Sequence, residues 1–366
     1  MRIDFESMNE KMKKLYSALW ADNEFISNNA NLIEQSMDSR CKNHSHNSYC
    51  FAGTEDTEEL LTKIFGIKEP EKEPKLFKEK FDMAVSGSGQ ELRKITTLHS
   101  SSLCALLHFY NVTEDNPLVL ADLMTDKSQR TIKFTKSFFE YKSPVINNPS
   151  NMDVVLIGKD VESGDNIVFF LESKFSEYYT SASKKSNSIS KKYLEAKYCA
   201  PLYKDEALLK MGLRKADINT NFVELISEKE PFYIDGIKQM ISHYTGIRNV
   251  LNGNFYKTEK ENQVTKQKQN EINNAIKNGA TVILGEIVFD RFIGDLELKP
   301  GLKCGEIYSQ KYEELAKQIG ELTKDVPKFE IMHKELGYSL FNENDHIIED
   351  QIRQFYREVK DSYGLG

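Results

Sequence analysis

Two apolar runs separated by a polar segment lie near the middle of the chain. Residues 152–157 and 167–171 are rich in β-branched and aromatic side chains, a composition typical of strands. Residues 158–166, between them, consist largely of turn-forming types. This pattern predicts an antiparallel β-hairpin.

Charged residues stand at the end of this predicted hairpin. Asp153 opens the first run, and Glu172 and Lys174 close the second. If Gly158 pairs with Ile167, Asp153 lies opposite Glu172, with the two Cβ atoms about 4.5–5.5 Å apart. Side chains alternate along a strand, so Glu172 and Lys174 share a face. Unpaired charges are costly in strands buried on both faces, which favours a functional site. The alternative is a half-exposed strand with an ordinary ladder of Glu and Lys.

Two carboxylates and a lysine suit the metal-assisted cleavage of a phosphodiester bond. Mg²⁺ prefers oxygen ligands and keeps several of its waters, so two carboxylates can hold it. The cation lowers the pKa of a bound water and neutralises charge that builds on the phosphate. A neighbouring lysine can orient that water and stabilise the same charge.

The spacing D-x18-E-x-K resembles the PD-(D/E)xK nuclease superfamily, which has the restriction-endonuclease-like fold. The resemblance implies an α/β core of order α-β-β-β-α-β, with a central mixed sheet flanked by helices. It also implies that Asp153 and Glu172 bind Mg²⁺ (or Mn²⁺) and that Lys174 assists the nucleophilic water. Met152 stands where the family often has proline before the aspartate.

A core-facing helix is predicted before the sheet, after the Gly/Ser-rich residues 86–89. Its apolar positions are Leu92, Ile95, Leu98, Leu103, Leu106 and Leu107. In the family such a helix often supplies an acidic residue to the metal site, which makes Glu91 a candidate metal ligand and catalytic residue. The alternative is that Glu91 only complements the helix dipole. Glu140, in a strand predicted over residues 131–145, is a second candidate.

A second amphipathic helix is predicted over residues 234–251, after the E-x-K strand. RecB-type nucleases carry Gln and Tyr on this helix with the spacing Q-x3-Y, and Gln239 and Tyr244 resemble that pair. Here the spacing is Q-x4-Y, and His243 stands at the usual Tyr position. The resemblance implies that Gln239 is catalytic and that Lys238 and Tyr244 contact the substrate. The alternative is a core tyrosine and an exposed glutamine.

Basic residues are concentrated directly after the E-x-K strand, although the net charge of the chain is −7. A nuclease can be acidic as a whole if basic residues surround its cleft. Lysines could grip phosphates and tyrosines could stack on bases. The candidate substrate contacts are Lys184, Lys185, Lys191, Lys192 and Tyr193. The alternative is a flexible, solvated loop that leads into a helix.

Around the predicted core, which spans 81–292, the pattern indicates additions at both ends. The proposed regions are 1–80 (helical, then polar, with a charged linker or surface loop at 68–80), an insertion at about 180–233, and a mainly helical 293–366. Within the core, we predict a polar exposed helix or loop at 257–277 and a buried strand at 281–289. Within the C-terminal region, we predict helices at 306–325 and 345–361 and a short strand near 329–332.

Composition adds little more. The five cysteines are few and scattered, and we find no transmembrane run or signal-peptide core, which predicts a cytoplasmic protein with reduced thiols. Cys41, His44, His46 and Cys50 could bind zinc, but their cramped spacing favours a polar loop.

The sequence therefore predicts a cytoplasmic, Mg²⁺-dependent phosphodiesterase, with DNA as the favoured substrate and endonucleolytic cleavage as the favoured mode. The expected partner is nucleic acid, and no association with a membrane is expected. A homodimer is compatible with the sequence. Two alternatives remain, which are a non-catalytic nucleic-acid-binding protein on the same fold and a protein-interaction scaffold.

Overall fold

The computed structural model describes residues 76–86, 95, 100–145, 149–174, 188–190, 222–224, 235–288, 297–299, 302–338 and 340. Its helices are α1 (Leu76–Ala84), α2 (Ser101–Phe109), α3 (Asp235–Leu251), α4 (Gln263–Lys277) and α5 (Cys304–Thr323). Its strands are β1 (Leu118–Met124), β2 (Gln129–Ser143), β3 (Ser150–Asp160), β4 (Asn166–Lys174), β5 (Ser188–Ser190), β6 (Phe222–Glu224), β7 (Thr281–Val288), β8 (Glu297–Lys299), β9 (Leu302–Lys303), β10 (Phe329–Ile331) and β11 (Leu336–Gly337).

A mixed sheet of seven strands organises the described residues. Its order is β1-β2-β3-β4-β7-β10, and β11 also pairs with β7. Strands β1 to β4 are successive antiparallel neighbours, whereas β7 runs parallel to β4, and β10 and β11 run parallel to β7. Helices α3 and α4 lie in the connection between β4 and β7. The predicted α/β class, with a central mixed sheet and accompanying helices, is confirmed.

The strands at the centre of the sheet are buried almost throughout. Every residue of β7 is buried, and so is every residue of β4 except Asn166. Near-continuous apolar runs are expected where a parallel pair is covered on both faces. The edge strand β1 alternates more, because only part of its surface meets the core. The predicted buried strand at 281–289, the helix at 306–325 and the strand near 329–332 are therefore present as β7, α5 and β10.

The hairpin has the register that was assumed for it in the sequence. Gly158 pairs with Ile167, and the last pair of the ladder joins Val154 to Leu171. One step further along the same register places Asp153 level with Glu172. Because most of both strands is buried on both faces, the hydrophobic pattern alone does not select this register, and the length and geometry of the connecting turn do.

We expect Gly158→Ala to lower the free energy of unfolding by about 3 kcal/mol. A Cβ at this position would lie 2.2 Å from the carbonyl oxygen of Lys133 and 2.6 Å from Cα of Phe134, and these backbone atoms cannot rotate away. The control is Gly164→Ala, where φ is 74° and no described atom lies within 4 Å, so only backbone strain of about 1 kcal/mol is expected. Urea unfolding measures both; equal losses would contradict the close strand contact.

Two predicted segments near the start of the core differ in the structure. Residues 68–80 were expected to form a linker, but α1 begins at Leu76 and buries Phe77 completely. The helix expected across residues 92–107 is interrupted at Ser100, which has extended backbone (φ −72°, ψ 116°) and caps α2 through its side chain. Ser100 Oγ accepts the N–H of Leu103 at 3.1 Å, which satisfies a backbone donor at the start of α2. Strand β1 was not predicted.

Helix α4 corrects the expectation that residues 257–277 would be exposed. Lys268 is fully buried and donates to the carbonyl oxygen of Phe139 at 2.8 Å and to Ser86 Oγ at 2.6 Å. The buried amide of Gln269 donates to the carbonyl oxygen of Lys142 at 3.2 Å. A buried backbone carbonyl group needs a hydrogen-bond donor. The side chains of Lys268 and Gln269 on α4 donate to the carbonyl groups of Phe139 and Lys142, near the end of β2.

The remaining predictions about chain organisation fall outside the described residues. These include the candidate zinc ligands Cys41, His44, His46 and Cys50, residues 1–75, most of the insertion, and the helix at 345–361. In the part of the chain that is described, no helix has both the length and the apolar character to span a membrane.

Candidate active site

Side chains from β4 and α3 meet at the end of the hairpin. Lys174 Nζ donates to Glu172 Oε1 at 2.5 Å and to Gln239 Oε1 at 2.6 Å. His243 Nε2 lies 2.7 Å from Glu172 Oε2. Glu172, Lys174 and His243 are only 1–2 % exposed. Each oxygen of the Glu172 carboxylate therefore has its own buried nitrogen partner.

The groups around Glu172 change the pKa of its carboxyl group. Its burial acts to raise the pKa of the carboxyl, but the positive charge of Lys174 and the contact with His243 outweigh burial and lower the pKa to about 2. The contact between Glu172 and Lys174 agrees with the prediction that these two side chains share a face of the strand.

Asp153 lies level with Glu172, and its pKa is shifted in the opposite direction. Its Oδ2 atom accepts the backbone N–H of Ser173 at 2.8 Å, which ties the start of β3 to the end of β4. Burial raises the pKa of Asp153 well above its usual value, and the nearby carboxylates of Glu172 and Glu140 raise it further. The three carboxyl groups therefore influence one another electrostatically.

Four carboxylates form a row across four adjacent strands. The pairs Phe139–Val154 and Tyr141–Met152 bracket Glu140 and Asp153, which places these two residues level. Glu172 pairs directly with Glu286 across β4 and β7. The members of the row are Glu140, Asp153, Glu172 and Glu286. Glu286 was missed by the sequence analysis, although an acidic residue inside an apolar strand is the same signal that identified Glu172.

Glu140 has an unusual backbone conformation for a residue inside a strand. Its φ is 54°, in the left-handed region that residues with a side chain rarely adopt. The preceding carbonyl group, that of Phe139, is held by buried Lys268. Glu140 is 5 % exposed and acts on the pKa of Asp153, so this second candidate for an extra carboxylate does lie at the site.

The donor chemistry of the site fits a hard divalent cation. Among the described residues, no group of three or more His, Cys, Asp or Glu is arranged as a ready metal cage. Mg²⁺ does not need one, because it is usually held by one or two carboxylates together with waters and substrate oxygens. Asp153 and Glu172 would supply those carboxylates. The raised pKa of Asp153 is consistent with this role, since a cation would relieve the repulsion that causes part of it.

Helix α3 presents His243, rather than Tyr244, to the site. Successive helical side chains are rotated by about 100°, so the spacing from Gln239 to His243 keeps one face while the next position turns away. Tyr244 is 1 % exposed, and its ring packs edge-on against Phe329 at a centroid distance of 5.9 Å. The expectation that Tyr244 contacts a substrate is therefore replaced by a core role. Gln239 does reach the site, through Lys174.

Several predicted site residues cannot be placed. Glu91, Lys184, Lys185, Lys191, Lys192 and Tyr193 lie outside the described residues, and Lys238 is described only as a position within α3. Their proposed roles stay predictions.

The buried contact between Ser150 and His243, which lies next to Glu172, was also not predicted. Ser150 Oγ lies 2.6 Å from His243 Nδ1, so Ser150, His243 and Glu172 form one continuous chain of hydrogen bonds. Ser150 is 6 % exposed. No local pattern in the sequence indicates this contact, because it depends on how α3 packs over the start of β3.

Comparison of the chain with protein-family models, curated proteins and solved structures returned no match.

Proposed function

We propose that the protein is a metal-dependent nuclease with a restriction-endonuclease-like core. One observation carries this proposal. Asp153, Glu172 and Lys174 lie together at one end of the hairpin, and Gln239 accepts a hydrogen bond from Lys174. The order of the core elements, an antiparallel β2-β3-β4 meander followed by helices and the parallel strand β7, supports it. DNA is the favoured substrate class, and Mg²⁺ or Mn²⁺ the favoured cation.

Each residue has a definable task in hydrolysis. When bound, the cation would activate water and neutralise charge on the phosphate. Asp153 and Glu172 would hold it through oxygen atoms. Lys174 would orient the attacking water and donate to the phosphate oxygens as they gain charge. Gln239 accepts from Lys174 and fixes the direction of its ammonium group.

Cleavage of nucleic acid by the purified protein tests this proposal. We expect Mg²⁺ or Mn²⁺ to support cleavage of plasmid or linear DNA and EDTA to abolish it. Glu172→Gln should reduce the rate at least about 100-fold, because one ligand loses its charge. The matched control is Glu162→Gln in the exposed hairpin turn, which should keep the wild-type rate. Absence of cleavage on every DNA and RNA form tested would contradict the proposal.

A non-catalytic nucleic-acid-binding protein on the same fold predicts a different result. Such a protein would bind DNA at low salt without needing Mn²⁺, and it would bind equally well after Asp153→Asn. Calorimetry with Mn²⁺ separates the two, since only the nuclease requires the cation at Asp153 and Glu172. A protein-interaction scaffold would show neither metal binding nor affinity for DNA.

One observation favours a second candidate function, serine-dependent acyl hydrolysis. The order Ser150–His243–Glu172 is that of a nucleophile, a base and an orienting carboxylate, at hydrogen-bonding distances. Ser150 is buried, as Glu172 and Lys174 are, so burial does not separate the two candidates. The nuclease ranks higher because the order of the core strands and the set Asp153, Glu172 and Lys174 both support it. A fluorophosphonate probe should leave Ser150 unlabelled if the nuclease proposal is correct, and stoichiometric labelling would favour the hydrolase.

A further inference from the structure

We propose that His243 and Ser150 are positioning residues that fix the carboxylate of Glu172 for its role in metal binding. This inference rests on the proposed nuclease function and adds residues to it. His243 stands where the resembled nucleases have a tyrosine, and it contacts Glu172 rather than the solvent side of the site.

The two oxygens of Glu172 are supported independently. Lys174 holds Oε1, and Lys174 is itself directed by Gln239. His243 holds Oε2 through Nε2, and its other ring nitrogen is held by Ser150. With both oxygens held, the plane of the carboxylate is fixed. A glutamate held at one oxygen could rotate about its terminal bond and lose its geometry relative to Asp153.

The support behind His243 is anchored in the sheet. Ser150 is the first residue of β3, and its carbonyl oxygen accepts from Ser143 Oγ at 3.2 Å. Ser143 lies at the end of β2, where the backbone of Gly246 on α3 comes so close that a Cβ there would meet Ser143 Oγ at 2.0 Å. This close approach brings α3 down onto the sheet one turn after His243. The imidazole therefore connects a rigid strand junction to Glu172.

Groups that orient a ligating side chain affect metal affinity although they never touch the metal. Loss of such a partner typically costs 10–100-fold in affinity or activity. Both ring nitrogens of His243 are engaged, Nε2 with Glu172 and Nδ1 with Ser150, so neither is available to a substrate. Its removal should weaken cation binding and lower kcat while leaving KM for DNA close to the wild-type value.

Mn²⁺ titration by calorimetry, combined with kcat and KM for DNA cleavage, tests this inference. We expect His243→Ala to weaken Mn²⁺ binding about 10–100-fold. His243→Gln, whose amide can donate to Glu172, should recover most of that loss, and Ser150→Ala should have a smaller effect in the same direction. The control is His333→Ala, an exposed histidine away from the site. Melting temperatures identify any variant that fails to fold.

The outcomes separate this inference from the proposed function. A wild-type protein that binds no Mn²⁺ contradicts the nuclease itself. A wild-type protein that binds Mn²⁺ with unchanged affinity after His243→Ala overturns the positioning role alone. If His243→Ala does not fold, Ser150→Ala decides, and wild-type affinity in that variant overturns the inference. A change in KM without a change in Mn²⁺ affinity would likewise overturn it, because it would indicate substrate contact.

Discussion

Replacing Lys174 by methionine should abolish DNA cleavage without abolishing binding of the divalent cation. Lys174 supplies the positive charge nearest to Glu172 and donates to it at 2.5 Å. Removing a donor that stabilises developing charge costs on the order of 100–1,000-fold in kcat. The cation should still bind, because loss of the ammonium group removes a competitor for Glu172 Oε1, which offsets the lost support at that oxygen, while His243 still holds Oε2.

Measuring both cleavage and Mn²⁺ binding for the same variants tests this prediction. Lys174→Met should lose cleavage and keep Mn²⁺ binding, whereas Asp153→Asn should lose both. Lys159→Met, at an exposed position on β3, is the matched control and should retain both. Cleavage by Lys174→Met within about tenfold of the wild-type rate would show that the lysine has no catalytic role.

Replacing Arg130 by methionine should cause the largest loss of stability, about 3–5 kcal/mol. Arg130 bridges Asp160, at the turn of the hairpin, and Glu330 on β10 at distances of 2.8 and 2.5 Å. Both carboxylates are buried, and Glu330 also accepts from Thr125 at 2.7 Å. Without the guanidinium, two buried negative charges would lose their cation.

The loss of stability caused by Arg130→Met should depend on pH. Burial alone would raise the pKa of Asp160 and of Glu330, but hydrogen bonds and the charge of Arg130 outweigh it and hold both below their usual values. A lowered pKa contributes stability that is present above the unfolded-state value of about 4 and is lost as pH falls through the folded-state value. Arg130→Met should therefore be most destabilised at neutral pH and approach the wild type in acid.

Urea unfolding at pH 7 and pH 3 measures this dependence. The control is Lys136→Met, which removes an ion pair with Glu271 in which both partners are substantially exposed. That change should cost less than about 1 kcal/mol at either pH, because exposed ion pairs contribute little. An equal loss in the two variants at pH 7 would contradict a structural role for the buried cluster.

Much of the sheet could be predicted because its strands are buried on both faces. The apolar runs around the hairpin and in β7 have few alternatives, and the charges at Asp153, Glu172 and Lys174 are conspicuous within them. The register was assumed, and the structure pairs Gly158 with Ile167 as assumed, which brings Asp153 level with Glu172.

The parts that could not be predicted depend on packing between distant segments. Helix α4 is polar in sequence, yet Lys268 and Gln269 are fully buried because they satisfy backbone carbonyl groups at the end of β2. The contact of Ser150 with His243 likewise joins residues from separate elements. The choice between His243 and Tyr244 is different, because helix geometry alone places the fourth residue after Gln239, and not the fifth, on the same face, and the spacing could have indicated it.

A crystal structure with Mn²⁺ and a non-cleavable DNA duplex tests the central claim most directly. The anomalous signal of Mn²⁺ locates the cation independently of any assumption about its ligands. The account predicts a peak within coordination distance of both Asp153 and Glu172, with Lys174 beside the scissile phosphate. A peak elsewhere, or duplex bound with no cation between these two carboxylates, would contradict it.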